Sequence, residues 1–339
     1  MSASPNALRW RGQAGHYEVY YLTLTDPASG VGVWIRYTML APTGAGPEAA
    51  TASLWLAAMD PRPDRTRVLA RKRTVPIAEL ESRAEPFEIR IGEATLGEKG
   101  MTGDLEDVAW DLRWRDSDRA YAHVSPLLQR ARIAKTMLVL PHADVRIEGS
   151  VSLPDERLEL RQAPGGQAHL WGSKHASRWA WAHCNDFVVA DGTPAAPGTF
   201  VDAASLIRPR FGRQVGPSTP VLARLDGRDF ESTSPLRVIA NDSTFALTGW
   251  RFEAIDGSRK LVGEVDADRR LLAGVTLTDP DGERAYCYNS ETANMRLHLY
   301  ERAPRVGGWA LRETFVADGR AHFEYGQREE VPGFQLLTR

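Results

Sequence analysis

The dominant pattern along this chain is alternation of apolar and polar residues. Val31, Val33, Ile35, Tyr37 and Met39 interleave with Gly32, Trp34, Arg36 and Thr38, and Val108–Trp114 repeats the in-out order. A period of two sends successive side chains to opposite faces, so each run predicts a half-buried strand. Further strands are predicted at Tyr17–Leu24, Ser53–Ala58, Phe87–Ile91, Val145–Val151, Leu158–Arg161, Val221–Leu225, Thr244–Ala254, Leu271–Thr278, Arg284–Tyr288, Arg296–Glu301 and Ala321–Tyr325. Turn-forming pairs separate them, among them Asp26-Pro27, Asp226-Gly227, Asp256-Gly257, Asp281-Gly282 and Asp318-Gly319. Short, regularly spaced strands with such turns predict an all-β chain of antiparallel sheets, as barrels or sandwiches. Helix is expected only at Ser125–Ala134, where Ser125 can cap and Pro126 suits the first turn. A loop across a barrel mouth is the other reading of that segment.

At 339 residues the chain exceeds one ordinary core. Pro42–Thr51 and the Gly/Pro-rich Gln162–Gly166 are its strongest breaks. A boundary at the second leaves two similar halves, 1–163 and 164–339. The composition is globular, with 42% apolar and 25% charged residues. A net charge of -2 supplies no basic field for nucleic acid. The longest apolar run, Leu54–Met59, is too short to span a bilayer, and the first fifteen or so residues hold no apolar signal core. With Cys184 and Cys287 the only cysteines, a reducing, cytoplasmic setting is expected. The oligomeric state is left open.

Chemistry concentrates between Gln167 and Phe187, which holds three of the ten tryptophans and three of the eight histidines. From Trp179 onward, Trp179, Trp181, His183, Asn185 and Phe187 share one side, while Ala180, Ala182, Cys184 and Asp186 share the other. Large rings mixed with imidazole and amide suit an apolar small molecule held by a few polar groups. Each residue alone also fits a satisfied core position. If the segment is one unbroken strand, His169 and Trp171 join that side, and one cavity is bordered by all of them. His169, His175, His183 and Asp186 could in principle hold zinc, but no recognised spacing is present and no metal is expected. No Gly-x-Ser-x-Gly elbow, phosphate-binding loop or Cys-x-x-Cys pair occurs, and no cofactor is expected.

A carboxyl packed against tryptophan loses hydration, so its pKa rises and it can donate a proton near neutral pH. Asp202, in Thr199–Asp202, is the nearest such carboxylate on a new strand-like run, whereas Asp186 falls opposite the indoles. His322 and Glu324 share parity in Ala321–Tyr325, and Tyr286, Tyr288 and Asn289 make a further polar-aromatic strand. These strands supply either pocket groups or a closing wall.

His169-Leu170-Trp171-Gly172 followed by Trp179-Ala180-Trp181 resembles the His-x-Trp-Gly and Trp-x-Trp pattern of carotenoid 1,2-hydratases, and of their AttH-like and tocopherol-cyclase-like relatives. Tyr17–Leu24 with Val33–Tyr37, Asp279–Gly282 with Cys287–Ser290, and Ala321–Glu324 look like the same group, so the resemblance spans nearly the whole chain. It implies two lipocalin-like antiparallel β-barrels in tandem with an apolar pocket. It also implies alkene protonation by an aspartate aided by the His-x-Trp pair, which maps onto Asp202, His169 and Trp171. The tyrosine expected two residues before the acid is Phe200 here. The expected function is thus a cofactor-independent hydratase or cyclase acting on a terpenoid or polyene, with Trp179, Trp181, His183, Asn185, Tyr286, Asn289, His322 and Glu324 binding it. A pericyclic cyclase working by pocket shape, and a non-catalytic binding protein, are the alternatives.

Overall fold

The computed structural model describes residues 4–338 apart from 116, 118, 125–135, 211 and 304–306. The expected helix Ser125–Ala134 lies outside the described residues. What is described is almost entirely strand, as the alternation predicts, and the architecture is two large antiparallel sheets, each wrapped around its own apolar core.

The first sheet opens with β1 (His16–Thr25), β2 (Gly32–Ala41), β3 (Thr51–Asp60) and β4 (Arg67–Pro76). It continues with β5 (Leu80–Ala84), β6 (Phe87–Ile91), β7 (Ala94–Gly97), β8 (Gly100–Leu105) and β9 (Val108–Arg113). After the two-residue β10 (Tyr121–Ala122) come the long strands β11 (Thr136–Leu153) and β12 (Glu156–Gly172). Spatial order follows chain order around a ring, and β12 returns to pair with β1. The ends of this path are β4 and β5. The apolar alternation does not foresee β4, RVLARKRTVP, because an edge strand keeps charges along its length, which discourages pairing with other chains.

The second sheet contains β13 (Arg178–Cys184), β14 (Val188–Val189), β15 (Phe200–Arg210), β16 (Arg213–Ser218), β17 (Val221–Leu225) and β18 (Arg228–Ser232). One helical turn, α1 (Pro235–Ala240), precedes β19 (Asp242–Ala246), β20 (Gly249–Asp256) and β21 (Arg259–Asp266). β22 (Ala273–Thr278), β23 (Arg284–Arg302), β24 (Trp309–Gln327) and β25 (Leu336–Thr338) complete it. β13 lies between β15 and β24, and β24 pairs with β23. Gln162–Gly166, expected as a break, runs inside β12, and the chain changes sheet between Gly172 and Arg178.

The outer face of the first sheet packs against a face of the second. Small apolar clusters hold this seam: Trp34, Ala57 and Met59 meet Leu271 and Ala273, and Ala168 and Leu140 meet Phe200 and Leu222. Trp55 joins Trp179, Val275 and Cys287. Between these clusters the facing residues are polar.

Candidate active site

Strand register arranges the seam in transverse rows. On the first sheet, Lys72, Trp55, Arg36, Tyr21 and Ala168 stand side by side across β4, β3, β2, β1 and β12. On the second sheet, Asp202, His183 and His322 stand side by side across β15, β13 and β24. Glu291 of β23 completes that row, its Oε2 2.5 Å from His322 Nδ1. A parallel row carries Trp181, Glu324 and Asn289. Glu291 lies where the β23–β24 register slips between Ser290 and Ala293, a bulge that re-aims the side chain.

Asp202 is the hub, fully buried. His123 Nε2 lies 2.6 Å from Oδ1, and His183 Nδ1 lies 3.2 Å from Oδ2. The Trp181 indole N–H donates to both oxygens at 3.2 Å. Burial pushes the carboxyl up, but the bonds and charges of His123 and His183 outweigh it and hold the pKa below the ordinary aspartate value. This corrects the expectation that tryptophan would raise it: the indole offers its polar edge, and two imidazoles stabilise the anion. Among the described residues, His183 Nε2 and His123 Nδ1 have no hydrogen-bond partner. Each imidazole therefore keeps one nitrogen on the carboxylate and the other open. The open nitrogen of His183 faces Gly166 of the first sheet, where an added Cβ would lie 2.7 Å away.

At the other end of the row the balance reverses. Burial pushes the Glu291 carboxyl well above its ordinary value, and the charge of Glu324 adds to the rise. Burial likewise pushes His322 down to about 3. Burial thus favours the uncharged form of both groups. They are close enough to share a proton, although the angle is not that of a hydrogen bond. The His322 ring stacks on His183 with centroids 5.8 Å apart, which links the two ends.

The residues expected from the sequence divide between this seam and other places. Trp181, His183, Asp202, Asn289, His322 and Glu324 share the seam face. Trp179 joins them, donating its indole N–H to Glu324 Oε1. Asn185 stitches the sheets, donating to Asp144 Oδ1 at 2.7 Å and the Gly165 carbonyl at 2.8 Å. Tyr286 points the other way and packs against the second core. His169 and Trp171 belong to the first sheet and its opposite face. His169 Nε2 lies 2.8 Å from Glu18 Oε1 and Nδ1 lies 2.8 Å from the Pro5 carbonyl. Trp171 lies under Arg9, 5.0 Å from its guanidinium carbon. The single cavity expected for all five aromatic and imidazole groups is not formed, because Gly172–Arg178 carries the chain into another sheet and strand parity is lost there. His175 is also separate, 2.6 Å from Asp279 Oδ1 and stacked between Tyr17 and Trp179. Among the described residues no three potential ligands converge on a metal position.

His123, Glu291, Tyr21 and Arg36 were missed. Glu291 sits in the run Asn289–Asn294, where Ala293 alone is apolar and alternation has little contrast to read, and His123 is a lone histidine beside a two-residue strand. The crevice lined by Tyr21, Thr23, Leu140, Trp181, His183 and Asp202 is packed closely enough that it leaves no room for a water molecule.

No family model matches the chain. Two curated relatives from Mycobacterium tuberculosis, of strains CDC 1551 and H37Rv, are each named an uncharacterised protein. They are 29% identical over 313 residues, covering 90% of this chain and 88% of theirs. The fold is shared with an AttH-like protein from Nitrosomonas europaea at a TM-score of 0.56 and 12% identity, over 96% of this chain and 98% of that one. It is shared with kievitone hydratase from Nectria haematococca at 0.53 and 8%, over 97% and 95% of the two chains. It is shared also with CghA bound to Sch210972 at 0.57 and 9%, over 97% and 96%. These structures fall in the group that the sequence motifs resemble, and at these identities the likeness shows the fold.

Proposed function

We propose that the protein is an enzyme of natural-product type that hydrates or cyclises an unsaturated small molecule by proton transfer in the seam. The observation that carries this is the Asp202 carboxylate held by two buried imidazoles, each with its second ring nitrogen open. A carboxylate that binds one imidazole nitrogen fixes ring orientation and stabilises the charged ring, which leaves the other nitrogen to exchange protons. His183 is the transferring group, because its open Nε2 faces the crevice; Asp202 is its positioning residue rather than the acid itself.

In the hydration form, the His183 imidazolium gives the Nε2 proton to one alkene carbon. The π pair forms the new C–H bond and leaves a cation on the neighbouring carbon. A water oxygen adds its lone pair to that carbon, and the extra proton returns to Nε2, which restores the imidazolium. In the cyclisation form, a second alkene of the substrate replaces water, and a neighbouring C–H returns the proton. The negative ring faces of Trp181 and Tyr21 stabilise the cation. The name of the hydratase that shares this fold supports the same reading.

The test uses a metabolite extract from producing cells that lack the protein, incubated with pure protein in D2O and followed by mass spectrometry. Wild type should place one deuterium on a carbon of the product. His183→Asn should lower that rate by about 10²–10⁴-fold, the usual cost of a lost general acid. Product formation without carbon-bound deuterium, or at an equal rate in His183→Asn, would mean that pocket shape alone closes the ring.

A further inference from the structure

Arg36 occupies the middle of the first-sheet row, between Trp55 and Tyr21, and is 7% exposed. Its guanidinium carbon lies 5.4 Å from the Trp34 ring centre and 5.7 Å from that of Trp55. Among the described residues it forms no ion pair within 4.0 Å, and its Nε has no hydrogen-bond partner. Arg259, whose Nε is likewise unpaired, still donates through both terminal nitrogens, to the Asp229 and Leu225 carbonyls. Arg36 has an aromatic frame and, among the described residues, no acceptor within hydrogen-bond distance.

This cation is compensated only at a distance. Glu324, across the seam, pulls on it electrostatically, but no carboxylate oxygen among the described residues lies within 4.0 Å, and Glu324 Oε1 accepts from the Trp179 indole N–H instead. Lys72 lies on the other side of Trp55, 4.2 Å from that ring, and adds positive charge. Burial disfavours both cations and pushes each pKa down. A guanidinium cannot shed its proton at physiological pH and presents a rigid fork of N–H donors shaped for two oxygens. Leaving such a group buried and unpaired is costly, unless something else supplies the oxygens.

We infer that Arg36 recognises an acidic oxygen of the substrate, a carboxylate, enolate or phenolate, so that the substrate is an unsaturated acid rather than a neutral hydrocarbon. This rests on the seam being the substrate site. Tyr21, the register neighbour of Arg36, meets Trp181 edge-on at 5.5 Å and lines the crevice with His183 and Asp202. One molecule can therefore place its acidic end on Arg36 and its unsaturated carbons over His183. A neutral polyene would leave the guanidinium without an acceptor and gain nothing from it.

Calorimetric titration of the full chain with matched pairs tests this: 1-naphthoate, cinnamate and sorbate, each against its methyl ester. Wild type should bind at least one acid about 10- to 100-fold tighter than its ester, the range for hydrogen bonds to a charged group. Arg36→Gln should abolish that preference. Arg36→Lys, which keeps the charge but loses the fork, should weaken the acid about tenfold and leave the ester unchanged. Equal affinities in every pair, no binding by any acid, or a preference unchanged by Arg36→Lys would overturn the assignment, even if Arg36→Gln fails to fold. His183→Asn should retain the acid preference. If wild type shows that preference yet incorporates no deuterium, the proton-transfer reading fails and the role of Arg36 stands.

Discussion

Asp202 and Glu291 are both fully buried on one face of the second sheet, yet their surroundings move the two carboxyl pKa values in opposite directions. Asp202 faces two imidazoles and an indole N–H, and its pKa is depressed. Its contribution to stability is present above the unfolded value near 3.9 and is lost as pH falls through the lower folded value. Asp202→Asn at pH 7 should cost about 1–3 kcal/mol in denaturant unfolding, because the variant removes a charged acceptor shared by His123, His183 and the Trp181 N–H. Glu291 faces a neutral imidazole and the charge of Glu324, and its pKa is raised. Its contribution is present below the unfolded value, about 4.3, and fades as pH rises. Glu291→Gln, which cannot ionise, should therefore gain on wild type as pH rises above the unfolded value. Unfolding curves at rising pH would refute the raised carboxyl if the variant instead lost ground. His322, pushed down to about 3, works in the opposite direction: wild type loses stability as pH falls from about 6.5 toward 3. His322→Gln should flatten that slope. Asp202 was legible from sequence because it follows an aromatic strand. Its partners were not, since His123 lies 79 positions away and only the fold brings them together.

At the element scale, alternation located β9, which is buried on one face only, and it located β2, β13 and β17 because residues of different size or polarity still alternate between their two faces. It could not locate charged β4, nor show that Trp171 and Trp179 lie in different sheets, since both strands obey the same period. The consequence is clearest at β1. Glu18, fully buried, accepts from the Arg9 and Trp10 amides, the Tyr20 hydroxyl and His16 Nε2, and faces His169 Nε2. Burial raises its carboxyl, but these donors prevail and hold it at about 2. His169 thus anchors the segment before β1 instead of lining the crevice. Glu18→Gln should release that segment, and limited trypsin digestion should then cut after Arg9 or Arg11 much faster than in wild type. Equal cutting rates would mean the segment is held by other contacts, such as the paired amides of Asn6 and Gln167. Gly326 serves the second sheet in a similar way, because the Trp179 indole occupies the space a Cβ would need. Gly326→Ala should cost about 1–3 kcal/mol by overpacking and detach Trp179 from Glu324, which a fluorescence shift would register.

For the whole molecule, two barrels each bury an apolar core, and the chemistry proposed above falls on the face they share. That arrangement makes the closeness of the sheets a functional variable, and two glycines set it at different points. Gly32 of β2 comes against backbone: an added Cβ would lie 2.5 Å from the Glu291 carbonyl oxygen, which already accepts from Thr25 Oγ1. Strand backbone cannot yield without moving a sheet. Gly166 of β12 comes against a side chain, the open nitrogen of His183. The imidazole can tilt, but Asp202 holds its other nitrogen, so a methyl there covers Nε2 and strains the His183–Asp202 pair. Gly32→Ala should therefore lower stability by about 1–3 kcal/mol and reduce turnover in proportion to the folded fraction. Gly166→Ala should leave most of the stability intact while lowering turnover by about 10²-fold or more, as expected when a proton-transferring nitrogen is blocked. Thermal unfolding and deuterium incorporation, measured on the same two proteins, separate the cases. If Gly166→Ala keeps wild-type turnover, His183 Nε2 is not the transferring atom, and His123, with its own open nitrogen on the same carboxylate, takes its place.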